Sequence, residues 1–404
     1  MASSSHNREF PNTLDDHVST SSNLIDSYSK LTDDVASRLN SGITKLVAKF
    51  DTGVQTDASS DRDYSIYTGK TGIALLYLHL HNMYPDGDYL TKAEKYVKIS
   101  LKHLKGHRVT FLCGDAGPLA VGSVVYDKKG NKQKSMECIQ RLLELVDMAL
   151  DLSTPDELLY GRSGYLYALL FVRHNIAEDV IQNDIIEKVA KAILDSGMSL
   201  GRKVQSQSPL MYKWHDKPYI GAAHGMAGIL FSLLQVDLPA VTSSLREYIQ
   251  PTIDYVATLQ FPSGNFPSSL GNDKDRLIHW CHGAPGVIHL MLQAYKKFGD
   301  QKYLNQAEKC GDIIWSRGLL RKGYGLCHGT SGNAYAFIAL YQTTEDKKHL
   351  HRAWKFAEWC LDYGRHGCNT PDRPFSLFEG MAGAIYFLSD FLCPKKAKFP
   401  AFYI

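Results

Sequence analysis

One element recurs seven times along this chain: a pair of glycines spaced Gly-x-x-Gly that opens an apolar run. The first glycines of successive copies are 45, 47, 64, 58, 46 and 51 residues apart. Recurrence at this period indicates a repeat architecture, in which each copy buries its apolar surface against its neighbours. In chain order the copies are Gly69–Gly72, Gly114–Gly117, Gly161–Gly164, Gly225–Gly228, Gly283–Gly286, Gly329–Gly332 and Gly380–Gly383.

Two kinds of helix alternate in the pattern. Segments 91–104, 301–318 and 347–363 carry an apolar stripe and a charged face, which predicts solvent-facing helices. The run after each glycine pair is instead apolar nearly all round, so a helix formed by it must be buried on every side. Seven such helices can bury one another as an inner ring, covered by seven outer helices. The sequence therefore predicts an all-α fold, a closed α/α toroid that needs no capping repeats.

The expected organisation is a polar N-terminal segment over 1–20, packing on or near the functional site, and one toroid domain over 21–404. The N-termini of the inner helices would converge on one central cavity. Free N–H groups and the positive end of the helix dipole favour thiolates and carboxylates there. The two longest intervals between copies hold extra loops, 206–217 and 261–275, which we expect at the rim of this cavity.

Composition argues against several classes of protein. Lys and Arg number 45 against 42 Asp and Glu, a net charge of +3 that is too balanced for a nucleic-acid or acidic-membrane partner. No run of about 18 apolar residues occurs, which argues against a seven-helix membrane receptor. Residues 1–7 have no apolar signal core, and eight cysteines in 404 residues are ordinary for an intracellular protein. We expect a cytoplasmic location.

The repeat also aligns a set of reactive side chains. Cys281 and Cys327 each stand two residues before the first glycine of their copies, followed by His282 and His328, and His224 holds the histidine position one copy earlier. If the copies superpose, Cys281, Cys327 and His328 meet at adjacent helix N-termini. Two thiolates and one imidazole would bind zinc and leave a fourth position for water or substrate. The alternative is that these are small buried side chains beside packing histidines.

The same stretches resemble the eukaryotic LanC-like proteins, relatives of the bacterial lanthionine cyclases. The resemblance runs from about Tyr64 to the end of the chain, and its paired Trp-Cys-His-Gly and Cys-His-Gly motifs are highly specific to the family. The family fold, an α/α toroid of seven inner and seven outer helices around a zinc ion, agrees with the repeat argument. The stretches that carry the resemblance are YTGKTGIALLYL, ELLYGRSGYLYALLF, YIGAAHGMAGI, HWCHGAPGV, KGYGLCHGTSGNAYAF and PFSLFEGMAGAIYFL.

The resemblance implies a zinc-dependent glutathione transferase. Cys281, Cys327 and His328 would be the zinc ligands, and the sulfur of glutathione, the co-substrate, would take the fourth position. Bacterial relatives add peptide cysteines to dehydroalanine or dehydrobutyrine, and eukaryotic members are thought to add glutathione to such residues in proteins or peptides. His224 matches the family's catalytic histidine and would protonate the enolate formed by the addition. A capping or core role is the alternative for His224, and a non-catalytic glutathione-binding adaptor for signalling proteins is the alternative function.

Lys322 and Arg8 match basic residues that the family uses around glutathione. Because glutathione carries two carboxylates, cations at the rim make physical sense. Simple solvation is the alternative for Lys322. Glu157 aligns with an acidic active-site residue of the bacterial members.

Three positions depart from the family pattern or stay unassigned. His282 replaces the tyrosine common after the first zinc cysteine of bacterial cyclases. Asn369 stands where mammalian relatives lead us to expect an arginine, so one cation for a glutathione carboxylate is missing unless Arg365 or Arg373 substitutes for it. Cys113, one residue before Gly114, has no assigned role.

Overall fold

The computed structural model describes residues 8–18, 23–26, 30–56 and 62–404. Residues 1–7 and 19–22 lie outside the described residues, and with them much of the polar segment predicted over 1–20; residues 27–29 and 57–61 lie outside them too. The α-helices of the described part are α1 (Asp33–Thr56), α2 (Lys70–Met83), α3 (Tyr89–Leu101), α4 (Ala116–Lys128), α5 (Lys132–Leu143), α6 (Val146–Leu150), α7 (Arg162–Asn175), α8 (Asn183–Lys203), α9 (Met226–Leu234), α10 (Pro239–Thr242), α11 (Gln250–Thr258), α12 (Ala284–Phe298), α13 (Gln301–Arg317), α14 (Thr330–Thr344), α15 (Lys347–Leu361) and α16 (Met381–Asp390). A 3-10 helix (Glu178–Val180), a π-helix (Leu245–Ile249) and isolated β-bridges complete the regular structure of these residues.

An inner ring of helices forms the core. It consists of α2, α4, α7, α9, α12, α14 and α16, each of which begins at a glycine pair. Each helix of the ring contacts the next, and α16 contacts α2, which closes the ring. Most residues of these helices are buried on every side, as their apolar sequence requires. The predicted all-α toroid is confirmed.

Amphipathic helices cover the ring from outside. They are α1, α3, α5, α8, α11, α13 and α15, and each packs on an inner helix. The segments predicted as outer helices at 91–104, 301–318 and 347–363 are α3, α13 and α15. Within the part of the chain that the structure describes, no helix has both the length and the apolar character that crossing a bilayer requires.

The second glycine of every copy lies very close to the main chain of the loop that precedes it in the same copy. In all seven copies, a Cβ atom at this glycine would overlap the main-chain carbonyl oxygen six residues earlier. The loop that precedes each inner helix therefore folds back onto the first turn of that helix, where only glycine leaves enough room. As a result, the residues one and two positions before the first glycine are held in the same place in each copy.

Main-chain hydrogen bonds join the loops of neighbouring copies at equivalent positions. The N–H of Cys281 donates to the carbonyl of Cys327 (3.3 Å), and that of Cys327 to the carbonyl of Phe378 (2.9 Å). The N–H of Phe378 donates to Tyr67 (3.1 Å), and that of Tyr67 to Leu112 (3.0 Å). All five residues stand two positions before the first glycine of their copies. This ladder places the two cysteines side by side at the N-terminal end of the ring.

The described N-terminal residues pack against the loop before α14. Glu9 forms an antiparallel bridge with Leu320, and the carbonyl of Arg8 accepts a hydrogen bond from the N–H of Arg321 (3.0 Å). Residues 12–16 continue over α13 and α15. The division of the chain into 1–20 and 21–404 stays a prediction.

Candidate functional site

The two cysteines and one histidine singled out in the sequence form a cluster. The Sγ atoms of Cys281 and Cys327 and a ring nitrogen of His328 all lie within 4.8 Å of one another. Cys327 is buried, and the other two side chains are half-buried. Gly283, which adopts a φ of +114° that favours glycine, starts α12 directly after Cys281 and His282. The cluster therefore sits at the N-termini of the adjacent inner helices α12 and α14.

The chemistry of these donors fits a metal ion, and zinc in particular. Burial and the adjacent Cys281 sulfur raise the pKa of the Cys327 thiol well above its usual value. Two thiolates at this spacing need a compensating positive charge, which a divalent cation supplies. Sulfur and imidazole donors are typical of zinc sites, and three protein donors leave one coordination position for another ligand. Among the residues that the structure describes, this is the one group of three or more that could hold a metal.

A tyrosine that the sequence reasoning missed borders the cluster. Burial and the nearby sulfurs of Cys327 and Cys281 raise the pKa of Tyr67 well above its usual value. Its ring stacks on Phe378, with centroids 4.9 Å apart. Tyr67 stands two residues before its first glycine, the same position as the two cysteines, and that shared position was the signal that could have found it.

The half-buried His224 pairs with the buried Glu157 in the neighbouring part of the ring. Its Nδ1 lies 2.6 Å from Oε2 of Glu157, whose side chain is only 1% exposed. Glu157 also accepts main-chain N–H bonds from Leu159 (3.0 Å) and Tyr160. Both carboxylate oxygens of Glu157 thus accept main-chain hydrogen bonds. We therefore take Glu157 as the acceptor in its bond to His224 as well, and assign the shared proton to Nδ1 of His224. Nε2 is then the nitrogen of His224 that can exchange a proton with a substrate.

The His224 copy lies directly beside the Cys281 copy. The rings of His224 and His282 are 6.2 Å apart, and burial, followed by the charge of His224, lowers the pKa of His282 to about 4. A Cβ atom at Gly221, in the loop before α9, would overlap the carbonyl oxygen of Cys281. The indole of Trp214, a second residue that the sequence reasoning missed, stacks on the His224 ring at 4.1 Å.

Lys322 and Arg8 both lie near the cluster. Burial, followed by the positive charges of His328, Lys322 and Arg8, lowers the pKa of His279 to about 3. The rings of His279 and His328 are 5.9 Å apart, so the two cations border the same side of the cluster. Lys322 is exposed, and no partner for its amine is seen in the described ranges.

Asn369 lies against the loop segment that precedes Lys322. Its N–H donates to the carbonyl of Arg321 (2.7 Å), a residue whose guanidinium stacks on Phe10 at 4.2 Å. Arg365 is exposed and pairs with Asp362 at 3.1 Å. Arg321 is thus a further arginine in this region, one that the sequence reasoning did not consider.

Cys113 lies on the side of the ring near Tyr160. Burial, followed by the negative charge of Glu157, raises the pKa of its thiol. Its neighbours include Arg108, which lies 4.8 Å from the Tyr160 ring. Among the residues that the structure describes, Cys113 does not belong to the group that could hold a metal.

Comparisons with known proteins agree with this architecture. A family model described as lanthionine synthetase C-like protein matches residues 60–404. The chain is 49% identical over 383 residues to a glutathione S-transferase LANCL1 of Danio rerio, and the match covers 94% of each protein. Among solved structures it is similar to nisin cyclase, with a TM-score of 0.68 over 87% of this chain and 94% of that one. At 19% identity, the similarity to nisin cyclase shows the fold alone.

Proposed function

The chain belongs to the lanthionine synthetase C-like family, and on that premise we propose that it is a zinc-dependent glutathione transferase. The acceptor in this proposal is a dehydroalanine or dehydrobutyrine residue of a protein or peptide, to which the glutathione sulfur adds. The glutathione half of the proposal is supported by the name of the relative that is 49% identical.

The observation that carries the proposal is the cluster of Cys281, Cys327 and His328, whose donor atoms lie within 4.8 Å of one another. These three residues would hold the zinc ion. When bound, zinc supplies a Lewis acid that keeps a thiol in its thiolate form at neutral pH. The N-termini of α12 and α14 add their positive dipole ends beside the same thiolates.

Addition of a thiol to a dehydroamino acid needs a proton donor. The sulfur forms a bond to the β-carbon, the double-bond electrons move to the α-carbon and its carbonyl, and the α-carbon must then gain a proton. His224 would deliver that proton from Nε2, while Glu157 holds Nδ1 and stabilises the imidazolium that gives it up. The proton lost by the incoming thiol balances the one gained by the product.

The remaining polar groups would bind glutathione itself. Lys322 and Arg8 would pair with its carboxylates at the edge of the cluster. The main-chain bond between Arg8 and Arg321 fixes the position of Arg8 relative to Lys322. Lys322 is exposed, so its contribution is that of a screened surface ion pair.

A catalytic role is favoured over a non-catalytic adaptor by the His224–Glu157 pair. An adaptor that only binds glutathione has no need for a carboxylate that is 1% exposed and bonded to an imidazole. Signalling partners and the cytoplasmic location stay predictions.

The test is to incubate the purified protein with zinc, glutathione and a peptide containing one dehydroalanine. We expect the peptide to gain the mass of one glutathione, and a peptide with serine at that position to gain nothing. Both reactions are run without protein to measure the background addition. A rate equal to this background would contradict the proposed activity, and glutathione binding that persists in the same sample would then support an adaptor.

A further inference from the structure

Trp214 makes a contact with His224 that the proposed proton transfer does not involve. The two ring centroids are 4.1 Å apart and the ring planes differ by 4°. The Tyr160 ring lies near both, with its centroid 5.4 Å from that of the indole and 6.0 Å from that of His224, and it is nearly parallel to each. His224 is therefore held at its Nδ1 edge by Glu157 and across its face by an indole.

The loop over 206–217 is built to present this indole. A short hairpin closes it, in which the N–H of Trp214 donates to the carbonyl of Lys217 (3.0 Å) and the N–H of Lys217 donates back (3.3 Å). The two residues between them are exposed, and His215 adopts a φ of +49° that few non-glycine residues adopt. Trp214 itself is half-buried, with its face on the imidazole. The hairpin thus places the indole of Trp214 against the imidazole of His224.

The stack with Trp214 restricts the orientation of the His224 ring in a way that the hydrogen bond to Glu157 does not. A single hydrogen bond at Nδ1 leaves the imidazole free to tilt about the bond, and the direction of Nε2 would then vary. A parallel indole face removes that freedom. An indole face also attracts a positive ring, so it favours the charged form of His224 that donates a proton.

We propose that Trp214 is a positioning residue for His224, one that fixes the direction of Nε2 and stabilises the imidazolium. This inference rests on the proposed function, because it takes His224 to be the general acid. The titratable and charged groups that face the stacked pair are Glu157, Tyr160, Tyr219, His282 and His215, with Arg108 behind Tyr160. The substitutions of Trp214 described below change none of these residues.

The first experiment compares Trp214→Leu with Trp214→Phe. The leucine variant loses the aromatic face, and the phenylalanine variant keeps a smaller one. We expect Trp214→Leu to lower kcat about tenfold and Trp214→Phe no more than about threefold, with the KM for glutathione and the zinc content unchanged. Because protonated His224 is stabilised less in Trp214→Leu, the fall of kcat at alkaline pH should begin at a lower pH.

Trp359→Leu is the matched control, because Trp359 also stacks on a histidine, His366, with ring centroids 3.5 Å apart. That stack lies at the outer helix α15 rather than beside His224. We expect kcat of this variant at saturating glutathione to equal that of the wild type.

A second measurement does not depend on activity. The ring signals of His224 in an NMR spectrum carry the ring-current shift of the indole, and its Nδ1–H signal reports the bond to Glu157. We expect Trp214→Leu to lose that shift and to exchange the Nδ1 proton faster, and Trp214→Phe to keep both in part. Unchanged exchange in a folded Trp214→Leu protein, or equal kcat values for the two variants, would overturn the inference. If the wild type forms no adduct, the proposed function fails, and the exchange rate alone still decides whether Trp214 orders His224.

Discussion

The main-chain N–H of Cys281 donates to the carbonyl of Cys327 at 3.3 Å. This bond joins equivalent positions of two adjacent copies, and Cys327 repeats it toward Phe378. Cys281 and Cys327 are 46 residues apart in the chain. Their thiols are adjacent because main-chain hydrogen bonds align equivalent positions of neighbouring copies. The repeat therefore positions the site. Changes to the glycines of the repeat should affect stability, whereas changes to the side chains of the site should affect catalysis or glutathione binding.

His224→Asn should abolish most catalysis and leave glutathione binding intact. Loss of a general acid costs about 10²–10⁴-fold in rate. His224 belongs to a different copy from Lys322, and Arg8 precedes the first copy. Glu157→Gln should have a smaller effect in the same direction, since the amide still bonds the ring but no longer stabilises its charge. Steady-state kinetics and calorimetric titration with glutathione test both variants. A parallel loss of affinity and rate would instead make His224 a binding residue.

Lys322→Ala should raise the KM for glutathione about fivefold, the equivalent of ~1 kcal/mol for an exposed ion pair. The effect should shrink at high salt, because exposed charges are screened. Lys188→Ala removes an exposed lysine of α8, whose ion pair with Asp184 lies on the outer layer, and should leave KM unchanged. Asn369→Arg should lower KM, since it adds a cation beside the loop that carries Lys322. An unchanged KM in both Lys322→Ala and Asn369→Arg would place glutathione elsewhere.

Gly332→Ala should destabilise the fold by more than about 3 kcal/mol. The new Cβ would overlap the carbonyl oxygen of Leu326, and neither the loop nor the helix can move without breaking the ladder of hydrogen bonds. Gly122→Ala is the matched control in another inner helix, because its Cβ would meet only side chains, the nearest at 3.2 Å on Val97. We expect a change within about 1 kcal/mol there, because better helix propensity offsets the tight contact. Chemical unfolding of both variants gives the comparison, and similar losses would contradict the role assigned to the close approach.

Asp390→Asn should stabilise the protein above pH 7. Burial raises the pKa of Asp390 from 3.8 to about 7, despite hydrogen bonds from the Tyr335 hydroxyl (2.8 Å) and the Lys398 N–H (3.1 Å). Between pH 4 and 7 the unfolded chain releases this proton and the folded protein keeps it, so Asp390 lowers stability as the pH rises, by up to about 4 kcal/mol. Asparagine accepts the same two bonds and can donate to His79, whose Nε2 lies 3.5 Å from Asp390.

The measurement is the free energy of unfolding of Asp390→Asn and wild type at a series of pH values. The difference between the two proteins should be small at pH 4, grow toward pH 7 and stay constant above it. A difference independent of pH would mean that Asp390 is ionised in the folded protein throughout.

The features that repeat could be predicted from the sequence. Seven glycine pairs predicted the inner helices and their order, and the position of Cys281 and Cys327 before their glycines predicted that the two would meet. The structure shows why this works: the close approach at each second glycine and the main-chain ladder hold equivalent positions in equivalent places. Tyr67 was open to the same reasoning, and it was missed because a tyrosine is also an ordinary core residue.

The individual contacts of the features that do not repeat could not be predicted. Trp214 lies on a loop that has no counterpart in the other copies, and only its folded hairpin shows that it reaches His224. The pairing of Arg8 with Arg321 joins residues more than 300 positions apart. No local pattern encodes such contacts, because they depend on how a loop or a terminus crosses the finished ring.

The central claim is that Cys281, Cys327 and His328 share one zinc ion, and zinc analysis of purified protein tests it most directly. Wild type and Cys393→Ala, which removes an exposed thiol outside the cluster, should each contain one zinc per chain. X-ray absorption should give two sulfur ligands at about 2.3 Å. Cys281→Ala and Cys327→Ala should each lose the metal under the same conditions. Full zinc content in both of these variants, or a zinc site without sulfur ligands, would contradict the claim.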